Sequence, residues 1–273
     1  MKVVSTRGDL AIARDSLPGR VAVVMTMGAL HAGHVELIRR ARAEADSVVV
    51  TIFLNPLQFA AAEDLDSYPR RLEQDLPLCE RAGADVVFTP MPAEVYPTEP
   101  VVRVSAGPIG HVFEGASRAG HFDGVVTVVL KLLHLVRPDV AYFGQKDAQQ
   151  LACIRRMVLD LDVPVEVVAV PTVRDADGLA LSSRNEHLSD AQRHSALVLA
   201  RALATRDVAA GRALVDAEPD VDLDYLERVD SATFEVTPDG DLIVVAAEVG
   251  TTRLIDCHFL VDSVDGLPHE KAA

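Results

Sequence analysis

Between Val21 and Leu54 the chain carries two unbroken apolar runs of strand length, Val21–Met25 and Ser47–Leu54 (SVVVTIFL), separated by a stretch, His34–Ala45, whose apolar residues recur at helical spacing. This is the pattern of a β-α-β unit, in which a parallel sheet is covered by helices. The same alternation continues with a helix near Leu72–Ala82, a strand at Asp85–Phe88, a helix over Val125–Val136, a strand at Val140–Phe143, a helix at Ala148–Leu161 and a strand at Val165–Val170, giving about five parallel strands. After roughly Val173 the pattern changes. One long helical segment, Ser189–Thr205, precedes Ala- and Asp-rich sequence and then strand candidates at Thr233–Val236, Leu242–Ala247 and Arg253–Phe259. Pro238-Asp239-Gly240 is expected to join the first two as a hairpin. The expected class is therefore α/β over 1–172, with a smaller α+β C-terminal domain over 173–273 and a frayed tail at Gly266–Ala273.

Composition narrows the partners. The 273 residues include 26 Lys and Arg against 41 Asp and Glu, a net charge of −15. That balance argues against nucleic acid, whose affinity comes largely from phosphate neutralisation by basic side chains. Aromatic residues are 4% with no Trp, which leaves few stacking platforms, and the 49% apolar content excludes wholesale disorder. Cys79, Cys153 and Cys257 are odd in number and far apart, so neither a disulfide framework nor a Cys-x-x-Cys zinc knuckle is present. The longest apolar stretch, Gly124–Val136, contains Lys131 and His134 and does not span a bilayer, and the first residues lack the apolar core of a signal peptide. The expectation is a cytoplasmic protein with no membrane and no nucleic-acid partner.

In an open parallel sheet, ligands bind beyond the carboxyl ends of the strands. After the first predicted strand comes Thr26-Met27-Gly28-Ala29-Leu30-His31-Ala32-Gly33-His34, a loop entering a helix whose N-terminus offers unpaired N–H groups to phosphate. His31 and His34 can share one face of its first turn. Two partly buried structural histidines explain a bare His-x-x-His pair about as often, but the strand-to-helix position favours function. Zinc lacks an obvious third ligand there. No Gly-x-Gly-x-x-Gly follows a strand, and Gly115–Gly120 continues His121-Phe122 where a Walker motif needs Lys-Ser/Thr. The second strand leads to Asn55-Pro56-Leu57-Gln58-Phe59, an ordinary turn on its own, and then to the acidic run from Glu63 to Asp66. The strand at Val140–Phe143 leads to Gly144-Gln145-Lys146-Asp147, where Lys146 either stabilises phosphoryl charge or pairs with Asp147 in an exposed loop. Ser182-Ser183-Arg184, after the fifth strand, suits polyphosphate or a capping loop.

Taken together, Thr26–His34 (TMGALHAGH), Ile52–Phe59 (IFLNPLQF), Asp64–Arg70 (DLDSYPR), His121–Asp123, Phe143–Asp147 (FGQKD) and Asp177–Asn185 (DGLALSSRN) occur in the order found in the pantoate–β-alanine ligase family, which the whole chain resembles. That family belongs to the HxGH nucleotidyltransferase superfamily. The resemblance implies a Rossmann-like parallel sheet that binds ATP and pantoate, with the C-terminal domain covering the active site. It also implies condensation of pantoate with β-alanine through a pantoyl adenylate, with release of pyrophosphate and AMP. By the same resemblance Met27, Gly28, Ala29, Leu30, His31, Ala32, Gly33 and His34 bind ATP, together with Gly144, Gln145, Lys146, Asp147, Val173, Leu181, Ser182, Ser183 and Arg184. His34, His31 and Lys146 match the catalytic positions, Lys146 reaching the α-phosphate. Gln58 and Gln150 match the glutamines that hold pantoate, and Gln58 and Asn55 lie where relatives meet β-alanine. Asp75 aligns with a metal-site carboxylate for Mg2+, although Gln74 stands beside it in place of a second Asp. The family further implies a homodimer. Met25 replaces a usual Pro and Ala32 a usual acidic residue, and neither position is assigned direct chemistry. The competing readings are another HxGH nucleotidyltransferase, which would not call for both Gln58 and Gln150, and a catalytically silent ATP-binding module.

Overall fold

The structure, a computed structural model, describes residues 1–59, 65 and 68–260. The chain divides into two compact units, the first comprising Met1–Gly144, Ala148–Val173 and Leu181–Ser183, and the second Gln145–Asp147, Arg174–Ala180 and the chain from Arg184 onward. The first unit is built on a six-stranded parallel sheet in the order β1-β4-β3-β2-β5-β6. Its strands are β1 (Lys2–Val4), β2 (Val21–Thr26), β3 (Ser47–Ile52), β4 (Val86–Phe88), β5 (Val140–Gly144) and β6 (Glu166–Val170), and its main helices α1 (Arg7–Asp15), α2 (Ala32–Glu44), α3 (Leu72–Ala82), α4 (His121–Val136) and α5 (Ala148–Asp160). Ala22 and Val24 of β2, Val48 and Val50 of β3 and Tyr142 of β5 pack with Leu37, Ile38 and Ala41 of α2 and Cys79 and Ala82 of α3. The alternate residues Val21, Val23 and Val49 are equally buried, so both faces of the central strands are covered and their sequences show no polar alternation. Each fully buried valine contributes about 1.5–3 kcal/mol relative to exposure. Right-handed crossovers put α2 and α3 on one face and α1, α4 and α5 on the other.

The strand order fixes where a ligand goes. From β2 the chain runs through β3 to β4 on one side, while β5 and β6 lie on the other. The carboxyl ends of β2 and β5 therefore flank the point where the winding reverses, the position at which open parallel sheets bind ligands.

In the second unit, β7 (Val221–Val229), β8 (Leu242–Val249) and β9 (Thr252–Phe259) form an antiparallel sheet in that order, with α6 (Asp190–Ala204) and α7 (Val208–Asp216) beside it. Leu199, Ala202 and Leu203 of α6 and Val215 of α7 close a core with Leu226, Ile243, Val245 and Leu254. Ser189 and Gln192 form a capping box that starts α6.

The α/β sheet with a small second sheet agrees with the sequence reading, with two corrections. There are six parallel strands rather than five, because β1 spans only three residues and offers no pattern to read. Thr233–Val236 is not a strand of the second sheet. The Asp230 carboxylate accepts from the backbone N–H groups of Ala232 and Thr233, which curls this segment into a turn and leaves only a bridge between Val229 and Val236. Its place is taken by β7, in the Asp-rich stretch, where exposed Asp222 and Asp224 are the solvated side of the strand. Asp64, Asp66 and Ser67 of the predicted acidic motif, Glu63 beside it and the Gly266–Ala273 tail lie outside the described residues.

Candidate active site

The loop after β2 is set by one buried carboxylate. Gly28 and Ala29 adopt left-handed backbone, with φ of 92° and 51°, and the N–H groups of Ala29 and Leu30 point at Asp75 of α3. Asp75 is 2% exposed; its Oδ2 accepts from Ala29 at 3.0 Å and its Oδ1 from Leu30 at 2.8 Å. The loop then enters α2 through a capping box made of imidazoles. His31 is the N-cap and its Nδ1 accepts from Gly33 N at 3.1 Å, while His34 Nδ1 accepts from His31 N at 3.3 Å. The rings lie 4.1 Å apart between centroids. With Nδ1 accepting in both, these hydrogen bonds assign the proton of each neutral ring to Nε2. Gly33 is required by this arrangement, since a Cβ there would sit 2.9 Å from His31 Cε1 and 3.0 Å from its Nδ1. The two histidines are thus part of the helix start as well as candidates for phosphate.

The turn after β3 is equally constrained. Asn55 is fully buried and caps the 3-10 turn Pro56–Gln58. Its Oδ1 accepts from Leu57 N at 3.3 Å and the Tyr96 hydroxyl at 2.9 Å, and its Nδ2 donates to Gln58 Oε1 at 3.0 Å and Gly124 O at 3.1 Å. Every polar position of the Asn55 amide is thereby engaged, so Asn55 orients Gln58. Gln58 Nε2 in turn donates to Met27 Sδ at 3.0 Å, which ties this turn to the loop after β2. His121, at the start of α4, lies 2.9 Å through Nδ1 from the Gln58 carbonyl and 3.3 Å through Nε2 from Arg118 Nη1. A carbonyl only accepts, so Nδ1 carries the proton and Nε2 accepts from the guanidinium. The sequence reading gave no site role to His121, Tyr96 or Gly124; the clue it held was the His121–Asp123 motif just before the helix expected over Val125–Val136.

The remaining predicted residues fall in both units. In the first, Gly144 closes β5, Leu181 N donates to Val173 O at 3.0 Å, and Ser182 and Ser183 are half-buried. Of the two glutamines on α5, Gln149 is spent structurally, accepting from Glu114 N and donating to the Ile109 and Val112 carbonyls. Gln150 is half-buried and makes no such bonds among the described residues. In the second unit, Gln145–Asp147 forms a 3-10 turn, with Lys146 Nζ 3.7 Å from Asp147 Oδ1. Gln145 is buried there, and Arg184 Nη1 donates to the Arg253 carbonyl at 3.3 Å.

In this structure Asp75 serves the loop. Both its oxygens already accept backbone N–H groups, and among the described residues no three His, Cys, Asp or Glu side chains converge on a cation position.

The site thus belongs to an α/β protein whose parallel sheet places a histidine-capped helix at its winding reversal, beside a buried amide pair. The particular family follows from comparison. The family profile described as Pantoate-beta-alanine ligase matches residues 2–259, and the chain belongs to that family. It is 53% identical over 274 residues to the pantothenate synthetase of Acidothermus cellulolyticus, covering 93% of this chain and 90% of that protein. The crystal structure of pantothenate synthetase from Thermus thermophilus superposes with a TM-score of 0.89 at 45% identity, covering 95% of this chain and 99% of that one. Pantoate-beta-alanine ligase from Francisella tularensis, solved in complex with beta-gamma ATP and beta-alanine, gives a TM-score of 0.84 at 32% identity over 95% and 98% of the two chains. No helix among the described residues is long and apolar enough to cross a membrane.

Proposed function

We propose that this chain joins pantoate to β-alanine with ATP, through a pantoyl adenylate. A pantoate carboxylate oxygen attacks the α-phosphorus as the bond to pyrophosphate breaks. The deprotonated β-alanine amine then attacks the acyl carbon, and AMP leaves as the amide forms. The observation that carries this reading is the imidazole pair at the start of α2, with both Nδ1 atoms fixed to backbone N–H groups at the winding reversal of the sheet. A pyrophosphate leaving group gathers negative charge, and Nε2–H donors beside a helix N-terminus are suited to receive it.

In this reading Met27–His34 wraps the triphosphate, with Gly144, Gln145, Asp147, Val173, Leu181, Ser182, Ser183 and Arg184 completing the nucleotide contacts. Lys146 meets the α-phosphate. Gln58 and Gln150 hold pantoate, since an amide both donates to a carboxylate and accepts from a hydroxyl. Gln58 also serves β-alanine, and Asn55 and His121 act through it. Asp75 shapes the ATP loop, and Mg2+ enters on the phosphate oxygens of ATP. The chain works in the cytoplasm as a homodimer, which light scattering of the purified protein tests directly.

The experiment for the reaction is AMP release with each of ATP, pantoate and β-alanine omitted in turn. Release should require all three, while pyrophosphate exchange into ATP should require pantoate alone. Exchange without pantoate, or with pantoate replaced by a nucleotide acceptor, overturns the assignment. Lys146→Ala should lower the exchange rate roughly 100-fold, a loss of about 3 kcal/mol of transition-state stabilisation, with the fold retained. Near-normal exchange in the folded variant removes Lys146 from the chemistry.

A further inference from the structure

Three segments far apart in sequence, Gln145–Asp147, Arg174–Ala180 and the chain from Arg184, belong to one compact unit, and β9 is where they are joined. The Arg253 carbonyl accepts from Arg184. Asp256, 5% exposed, receives both terminal nitrogens of Arg174 at 2.6 and 3.0 Å, and Arg174 also donates to Gly178 O at 3.2 Å across its own hairpin. The tip of that hairpin is held from α6 by Arg193, which pairs with Asp175 and Asp177. Asp256 Oδ1 accepts as well from the backbone N–H of Cys257 at 2.8 Å. Cys257, on the opposite face of the strand, places its Sγ 3.1 Å from the Gln145 carbonyl oxygen.

That last contact bears on Lys146. The Gln145 carbonyl and the Lys146 nitrogen belong to one planar peptide unit, so a donor on the carbonyl oxygen fixes the plane from which the lysine projects. Burial pushes the Cys257 thiol well above the ordinary range, which keeps it protonated and able to donate. The thiol thereby ties the Gln145–Asp147 turn directly to β9.

We propose that the Asp256–Cys257 step of β9 positions Lys146 for adenylation, the carboxylate fixing the strand backbone and the thiol fixing the Gln145–Lys146 peptide. The proposal rests on the reading of Lys146 given above. Cys257 and Asp256 touch no substrate; they are positioning residues, and a displacement of about 1 Å at the reacting group is enough to cost up to roughly 100-fold in rate.

Two substitutions separate donation from packing. Cys257→Val removes the donor and puts a slightly larger apolar side chain in its place, whereas Cys257→Ser keeps a donor in a slightly smaller one. The readouts are the pantoate-dependent exchange of pyrophosphate into ATP, KM for pantoate and the melting temperature, in the full chain with and without Lys146→Ala. Cys257→Val should lower the exchange rate roughly tenfold with KM for pantoate unchanged, and Cys257→Ser should recover most of the loss even if it melts lower. In the Lys146→Ala background, Cys257→Val should have no further effect, because the group it aims is gone. A tenfold loss in both backgrounds, an unchanged rate in Cys257→Val, or activity that follows the melting temperature overturns the positioning role. If Lys146→Ala alone exchanges at the normal rate, the reading of Lys146 fails first and the positioning role falls with it, an outcome seen in the single variant before any Cys257 substitution is compared.

Discussion

Gly33 occupies the second position of α2, where alanine favours a helix by about 1 kcal/mol over glycine. A methyl group there would nevertheless press on the His31 ring at 2.9 Å. Gly33→Ala should therefore leave the melting temperature unchanged or slightly higher while lowering kcat/KM for ATP, a separation that purely structural roles for the two histidines do not produce. Retained activity would show that the ring geometry at the capping box is immaterial. Asp75 makes the converse case. In Asp75→Asn one oxygen still accepts, but the new NH2 group faces a backbone N–H, so one loop hydrogen bond is lost at about 1–3 kcal/mol. KM for ATP should rise, and the Mg2+ concentration giving half-maximal rate, measured at saturating ATP, should stay where it is. A marked shift in that concentration would make Asp75 a metal ligand after all. The spacing of His31 and His34 was legible in the sequence, but the use of their Nδ1 atoms was not, because a helix start capped by imidazoles has the residue types of a functional pair and the geometry of a capping box.

At the scale of elements, the turn Pro56–Gln58 lies on the first turn of α4, and Gly124 is what allows the approach: a Cβ there would stand 2.3 Å from the Leu57 carbonyl oxygen. Gly124→Ala must therefore move backbone, and overpacking of this kind costs about 1–3 kcal/mol. Since the displaced turn carries Gln58, kcat/KM for pantoate should fall more than KM for ATP rises. A variant that is destabilised but keeps its pantoate kinetics would confine the contact to folding. The elements easiest to read in the sequence were those with the longest patterns. Ser47–Ile52 and Leu72–Ala82 fall within a few residues of expectation, since their apolar residues recur over a whole strand or three helical turns. β1 is too short to carry a period. β7 was hidden by its acidic residues, which alternate with Val221, Leu223 and Tyr225 as a half-solvated strand should, yet have the composition of a loop. Thr233–Val236 had the residue types of a strand but was drawn into a turn by the side chain of Asp230, an interaction that no periodicity records.

Across the whole molecule, each unit has its own core, and the three thiols sample both: Cys79 and Cys153 in the first, Cys257 in the second. Burial pushes Cys79 and Cys153 up to about 12 and Cys257 further in the same direction. At pH 8 a thiol of that pKa is ionised to about one part in 10,000, so a thiol reagent should find essentially none of the three in the folded protein. The same shifts make stability depend on pH. Once pH exceeds about 9 the unfolded chain ionises its thiols while the folded chain keeps them protonated, so the folded state holds more protons and loses stability as pH rises toward 12. Burial raises the Tyr96 and Tyr142 hydroxyls in the same sense, adding to the slope above pH 10. The urea midpoint should accordingly be lower at pH 10.5 than at pH 8 with the m-value unchanged, and Cys79 and Cys153 should become reactive together at one urea concentration because they share a unit. A midpoint that holds or rises over this range would mean that the thiols reach water in the folded protein. Labelling of Cys79 well before Cys153 would mean instead that the first unit opens piecemeal.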